Sequence, residues 1–157
     1  MIMAQLINYI ENALTKTNKF ESKLEGDVLK VKGLIGKKTR HFYNNLCSNN
    51  NIKYLEIGVL QGASLCSSMY NNTITGIAID NFSAFLIGKK LEETPLMFYK
   101  NFNKYKGSNN IKFLNMNCWD VDLSTINNVN LYIYDGPHDC HDKALSYYLS
   151  CLDNEFI

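Results

Sequence analysis

The chain has 157 residues, of which 46% are hydrophobic and 20% are charged. This length and composition are typical of one soluble globular domain with a sizeable core. The formal net charge is +1, and Arg40 is the only arginine. Proteins that bind nucleic acids carry a basic excess and use arginine to contact phosphates and guanines. We therefore expect no nucleic-acid partner.

The sequence contains no apolar run that approaches the roughly 18 residues needed to span a bilayer, so no membrane partner is expected. The apolar residues of the first 14 positions are interrupted by Gln5, Asn8, Glu11 and Asn12, a pattern unlike that of a signal peptide. The five cysteines form no C-x-x-C pair. An odd number of cysteines without an export signal favours free thiols and a cytoplasmic location.

Two kinds of pattern follow one another along the chain. Apolar residues at helical spacing predict a helix over 3–14; a mixed stretch over 17–36 reads as a connection, and a second helix is predicted over 38–48. Short apolar strands then alternate with helices. The predicted strands are 53–57, 75–80, 111–116 and 130–134, and the predicted helices are 62–70, one that starts with Thr94 as cap and Pro95 in its first turn, and 139–152. Residues 155–157 look like the opening of a fifth strand.

Alternating strands and helices imply a doubly wound, Rossmann-like parallel sheet. In such sheets ligands bind outside the carboxyl ends of the strands. The residues that follow each strand are therefore the candidates for a functional site.

The first strand is followed by a glycine-containing loop. Glu56, Gly58, Gly62 and Ser64 stand in the segment EIGVLQGAS. A dinucleotide site favours G-x-G-x-x-G, but Leu60 occupies the place of the middle glycine, and the loop has no lysine for a P-loop. A carboxylate beside the loop repels a pyrophosphate and attracts a cation, which favours S-adenosylmethionine (SAM). The alternative is a glycine turn needed only for tight packing of the strand against the helix.

Polar residues also follow the next two strands. Asp80 lies 22 positions after Gly58, close to the offset of about 20 at which an acidic residue reaches ribose hydroxyls; alternatively it is a helix cap or a turn aspartate. After the third strand, Asn117 could bind the adenine amino group, and Trp119 offers an aromatic face. The alternative for this segment is a surface turn whose tryptophan is tucked into the core.

The densest group of titratable residues follows the fourth strand, in the segment DGPHDCHD. Asp135 and His138 could orient an acceptor hydroxyl and remove its proton, or they could share a divalent cation. A zinc site at His138, Cys140 and His141 is poorly supported, because no second ligand pair stands at a fixed spacing. Asp139 is interpreted as the cap of the next helix and His141 as a solvated side chain.

Four segments, in order, resemble the class I SAM-dependent methyltransferases: YLEIGVLQGAS, GIAIDNFS, FLNMNCWD and LYIYDGPHD. The resemblance is to a subgroup with an E-x-G-x-x-x-G-x-S first motif and a D-G-x-H fourth motif, and it covers roughly residues 38–157. It implies a sheet of order 3-2-1-4-5-7-6. It also implies one domain over 1–157, in which 1–50 form a helical N-terminal extension and 51–157 the cofactor-binding half.

The resemblance assigns a role to each candidate residue. The first motif would surround the methionine part of SAM, Asp80 would hold the ribose, and Asn117 with Cys118 or Trp119 would border the adenine. Asp135 and His138 would face the methyl acceptor, and Asp135 would bind Mg²⁺ where the enzyme uses a metal. The predicted cofactor contacts are Glu56, Gly58, Gly62, Ser64, Asp80, Asn117 and Trp119.

The expected function is methyl transfer from SAM to a small-molecule acceptor, at oxygen. Two alternatives stay open: a SAM-binding domain without activity, and a nucleotide- or NAD-binding domain. The match ends as the fifth strand begins, so the resemblance implies that the remaining strands and a second pair of metal ligands lie outside this sequence. The fourth strand would then lie near a sheet edge, and we expect a homo-oligomer that covers it.

Overall fold

Four strands form one parallel sheet in a computed structural model that describes residues 3–83 and 93–157. The strand order is β3-β2-β1-β4, which confirms the predicted α/β fold and its order 3-2-1-4. The strands are β1 Lys53–Ile57, β2 Thr75–Ile79, β3 Asn110–Leu114 and β4 Leu131–Tyr134. All three pairings are parallel, so the carboxyl ends of the four strands share one edge of the sheet.

Five α-helices accompany the sheet in the described residues. They are α1 Met3–Asn18, α2 Lys37–Leu46, α3 Ala63–Met69, α4 Thr94–Tyr105 and α5 His141–Tyr148. Short 3₁₀ turns cover Gly26–Lys30, Cys118–Asp120, Leu123–Thr125 and Leu149–Cys151. None of the helices within 3–83 and 93–157 has the length and apolar character needed to cross a membrane.

The helices differ from the sequence predictions in several details, among them the end of α5 at Tyr148 instead of residue 152. Helix α1 continues to Asn18 because its last turns are held by α2, where the Asn45 amide donates to Thr17 Oγ1 at 3.2 Å. The predicted Thr94 cap is wrong, since α4 already begins at Thr94 and this side chain is 1% exposed instead of bonding the helix end. The predicted Asp139 cap is also wrong, because Cys140 occupies the cap position of α5.

The two faces of the sheet bury separate groups of side chains. Tyr54 packs on the face that carries α2 and α3, together with Leu46, Leu65 and Met69. The alternate residues of β1 pack on the other face, among them Leu55 beside Tyr148 of α5. Because strand side chains alternate between faces, Glu56 lies on the same face as Tyr54, under α3.

The last residue of the chain runs beside β4. The carbonyl oxygen of Ile157 accepts from the Tyr132 amide at 2.8 Å, and its amide donates to the Asn130 carbonyl at 3.0 Å. These are the two hydrogen bonds that one residue of a parallel neighbour makes with a strand. The segment predicted to open a fifth strand therefore lies against the free edge of β4.

Candidate functional site

A cavity of about 620 Å³ opens at the carboxyl ends of the strands. Its wall is formed by the segments that follow each of the four strands and by one segment that precedes α2. These segments are 57–60, 79–81, 116–119, 135–138 and 33–35. The cavity thus occupies the position at which parallel α/β sheets bind ligands.

Most of the site residues predicted from the sequence meet in this cavity wall. Those that line it are Gly58, Ser64, Asp80, Asn117, Trp119, Asp135 and His138. Two others lie outside the wall: Glu56 is fully buried under the loop, and Gly62 stands at the cap of α3 against Phe98.

Asp80, at the end of β2, is hydrogen-bonded to the loop after β1. One carboxylate oxygen accepts from the amides of Val59 and Leu60, both at 2.8 Å, and the other accepts from the Phe82 amide at 2.6 Å. Asp80 is therefore a turn aspartate and a wall residue at once. Phosphate-binding loops present unpaired amides to their ligand, whereas the amides of Val59 and Leu60 already bind a carboxylate.

Glu56 is a buried carboxyl that is linked to the cavity through one side chain. Ser64 donates to its Oε1, and the Tyr54 hydroxyl donates to its Oε2 at 2.7 Å. Burial raises the pKa of Glu56 to about 7, although the hydrogen bonds from Ser64 and Tyr54 lower it. Because Ser64 also lines the cavity, its hydroxyl links the buried carboxyl to the cavity wall.

The loops after β1 and β4 touch at Gly58. This residue has a φ of +86°, and a Cβ added to it would lie 2.3 Å from the carbonyl oxygen of Asp135. Only glycine tolerates both the backbone angle and the approach. The contact brings Asp135 and the first loop together on one side of the cavity.

The turn after β3 carries Asn117 and Trp119 into the wall. Asn117 Oδ1 accepts from the Trp119 amide at 3.1 Å. The indole is partly buried against the core, with the Tyr147 ring centroid 5.3 Å away and Lys143 Nζ 4.9 Å from its centroid. Trp119 therefore packs on the core and lines the cavity, so both interpretations of this turn describe part of its position.

Asp135 and His138 in the loop after β4 lie near His141, the first residue of α5. The pKa of Asp135 is raised overall, chiefly because the carboxyl is partly buried. His138 and His141 lower it, and the negative charge of Asp80 adds to the rise. The His141 ring lies 5.7 Å from that of His138 and 5.2 Å from that of Tyr134. His141 is exposed, in keeping with its interpretation as a solvated side chain, and its ring also contacts those of His138 and Tyr134. A raised carboxyl pKa brings Asp135 closer to the range useful for proton transfer at neutral pH.

The described residues offer no donor set for a metal ion. Within 3–83 and 93–157 no three His, Cys, Asp or Glu side chains are grouped so that they could hold one. Asp135 stands there without further grouped ligands, so the residues in these ranges do not fit the Mg²⁺ implied by the resemblance.

The sequence interpretation missed one wall of the cavity, residues 33–35. Gly33 approaches the start of α3 so closely that a Cβ added to it would lie 2.3 Å from Ala63 Cβ. The buried Arg40 holds the same segment, since its Nη2 donates to the Val31 carbonyl at 2.7 Å. These contacts place Leu34, which is 73% exposed, at the cavity.

The fold is a methyltransferase-like, Rossmann-like α/β fold, as two solved structures show. The SAH-bound methyltransferase PaMTH1 of Podospora anserina matches with a TM-score of 0.60 and 12% identity, over 98% of this chain and 66% of that chain. Precorrin 8w decarboxylase of Methanobacterium thermoautotrophicum matches with a TM-score of 0.62 and 14% identity, over 85% of this chain and 68% of that chain. The chain thus spans about two thirds of the length of either enzyme.

No protein-family model and no curated protein matches the sequence. At identities of 12–14% the structural matches establish the architecture.

Proposed function

We propose that the cavity binds SAM and that the protein transfers its methyl group to a hydroxyl oxygen of a small-molecule acceptor. The observation that carries the proposal is the engagement of the loop amides by Asp80. A site whose loop amides are bonded to a carboxylate favours an adenosyl ligand without phosphates. This also argues against the alternative of NAD or another nucleotide, whose phosphates would need those amides.

The charges around the cavity support the same ligand. Its described wall contains two carboxylates, Asp80 and Asp135, and includes neither a lysine nor an arginine. The buried Glu56 lies behind Ser64. SAM carries an ammonium and a sulfonium group, and opposite charges in a partly buried site attract strongly. An anionic cofactor would meet repulsion from the same residues.

Each segment of the cavity wall has its own proposed role. Asp80 holds the ribose at the end of β2, and Asn117 and Trp119 border the adenine after β3. Bound SAM supplies an activated methyl group, so the protein mainly aligns the acceptor oxygen with it, an effect worth on the order of 7–11 kcal/mol in favourable cases. Asp135, with His138 beside it, removes the proton of the acceptor hydroxyl.

The proton-transfer role is tested with Asp135→Asn. We expect turnover to fall by roughly 10²–10⁴-fold, the usual contribution of a general base, whereas the affinity for S-adenosylhomocysteine (SAH) changes little. Formation of SAH from SAM is measured against a panel of small hydroxyl compounds. Asp139→Asn is the matched control, because Asp139 is exposed and lies outside the cavity wall.

Three results of this experiment separate the hypotheses. Loss of turnover with intact SAH binding in Asp135→Asn, but not in Asp139→Asn, supports methyl transfer. Equal turnover in both variants removes Asp135 from the mechanism. SAH binding by the wild type without turnover on any acceptor supports a SAM-binding domain that lacks activity.

A further inference from the structure

Two neighbouring tyrosines of α5 bond the turn that follows β3. The Tyr147 hydroxyl donates to the Trp119 carbonyl at 2.9 Å, and the Tyr148 hydroxyl donates to the Cys118 carbonyl. Tyr148 is fully buried in the core, and Tyr147 also contacts the Trp119 ring edge-on. The two hydroxyls therefore hold this turn from the side of the core.

The other ends of the same two peptide groups are bonded to Asn117. In a trans peptide the N–H and the C=O point in opposite directions. The Trp119 amide, opposite the Cys118 carbonyl, donates to Asn117 Oδ1 at 3.1 Å. The Asp120 amide, opposite the Trp119 carbonyl, donates to the Asn117 carbonyl at 3.0 Å. Both peptide planes are therefore fixed between α5 and Asn117.

This arrangement sets the orientation of the Asn117 side chain. Because Oδ1 receives the Trp119 amide, Nδ2 is the donor that the side chain presents, and no group in the described parts of the chain accepts from it. Asn117 is exposed and lines the cavity. A donor at this place matches N1 of adenine, which accepts a hydrogen bond, and does not match the adenine amino group, the partner that the sequence predicted for Asn117. It does not match N1 of hypoxanthine, which carries a proton.

We propose that Tyr147 and Tyr148 are positioning residues that hold Asn117 Nδ2 as the donor selecting adenine over hypoxanthine in the bound ligand. This inference rests on the proposed function, since it assumes an adenosyl ligand. It assigns the base specificity of the site to hydroxyl groups that do not themselves line the cavity.

The test compares SAH with S-inosylhomocysteine, which differs from SAH only in the base. The affinity of each ligand is measured by calorimetry for the wild type and for Tyr148→Phe, because the Cys118 carbonyl that Tyr148 bonds shares a peptide group with the Trp119 amide that holds Asn117 Oδ1. Removing the hydroxyl leaves the Cys118 carbonyl without its partner, and one such hydrogen bond corresponds to about a fivefold change in an equilibrium constant. We expect the preference for SAH to fall by about fivefold.

Tyr9→Phe is the matched control. The Tyr9 hydroxyl also donates to a backbone carbonyl, that of Leu46 at 2.6 Å, but it joins α1 to α2 away from the cavity. Tyr9→Phe is expected to lower the melting temperature and to leave the ratio of the two affinities unchanged. A general loss of stability does not alter that ratio, so the ratio separates positioning from structural support.

The sole tryptophan gives a second measurement. Trp119 is the only tryptophan in the sequence, so its emission reports on this turn alone. Tyr148→Phe is expected to shift the emission to longer wavelength, because the loosened turn exposes the indole to water, and Tyr9→Phe is not. An unchanged affinity ratio in Tyr148→Phe with normal SAH binding would overturn the inference and leave the proposed function standing. Failure of the wild type to bind either ligand would overturn both.

Discussion

Gly58→Ala is expected to destabilise the fold by about 2–5 kcal/mol, the sum of a left-handed backbone angle and an overpacked contact, and to abolish SAH binding. The residue has a φ of +86°, and the new Cβ would lie 2.3 Å from the carbonyl oxygen of Asp135 and 2.7 Å from its carbonyl carbon. Both atoms belong to the backbone, so a side-chain rotation cannot relieve the clash. The loops after β1 and β4 would have to separate, and the cavity lies between them.

Gly36→Ala is the matched control for this prediction. Gly36 has an extended backbone with a φ of −71°, and a Cβ added to it meets nothing within 4 Å. Its replacement is expected to change the free energy of unfolding by less than about 1 kcal/mol. Urea unfolding followed by Trp119 emission measures both variants. Equal stability of the two variants would contradict the close approach of the two loops.

Glu56→Gln is expected to change how the stability of the protein depends on pH. Burial raises the pKa of Glu56 from 4.5 to about 7 in the folded state. Between these values the folded state keeps a proton that the unfolded state has lost, so wild-type stability falls as the pH rises. The contribution amounts to about 3 kcal/mol over this range. The glutamine variant has no titratable group at position 56, so its stability does not show this decrease.

The measurement is the free energy of unfolding of both proteins at pH 5 and pH 8. Relative to the wild type, Glu56→Gln gains up to about 3 kcal/mol at the higher pH. The buried His41, whose pKa is lowered by burial, acts in the opposite direction, but it is present in both proteins and cancels in the difference. Glu11→Gln, on the exposed side of α1, is the control. A constant difference between pH 5 and pH 8 would refute the account of Glu56.

The protonation of Glu56 is also expected to depend on the charge of the bound ligand. A cation in the cavity favours ionised Glu56, so SAM binding near pH 6–7 is expected to release protons. SAH lacks the sulfonium charge and should release fewer. Calorimetry in two buffers of different ionisation enthalpy measures the release, and Glu56→Gln should abolish the difference between the two ligands. Equal proton release by the wild type and the variant would show that the protonation of Glu56 does not respond to the charge of the ligand.

The architecture could be predicted because short apolar strands have a plain pattern. β1 and β2 begin where the sequence predicted, and their parallel order followed from the alternation with helices. The end of α1 could not be predicted, because Thr17 is held by a hydrogen bond from Asn45, a contact between distant segments. Such tertiary contacts override local propensity.

The site was predictable only where residues directly follow strands. Asp80, Asn117 and Asp135 met in the cavity because parallel strands end at one edge. The wall at 33–35 was missed because it depends on the close approach of Gly33 to Ala63, which no spacing reveals. The tyrosine contacts of α5 end on backbone carbonyls, which every residue has. The pairing of Tyr54 with Glu56 had a usable signal, since polar residues two apart on a buried strand share one face.

The central claim is that the cavity takes an adenosyl ligand without phosphates, and titration of the wild type and of Asp80→Asn with SAH and with NAD⁺ tests it most directly. We expect saturable binding of SAH by the wild type, no binding of NAD⁺, and an SAH affinity about 10–100-fold weaker in Asp80→Asn, the effect of losing charge-assisted hydrogen bonds. Asp120→Asn, an exposed acidic residue outside the cavity wall, should bind SAH like the wild type. Binding of NAD⁺ in preference to SAH, or SAH binding that is insensitive to Asp80, would contradict the account.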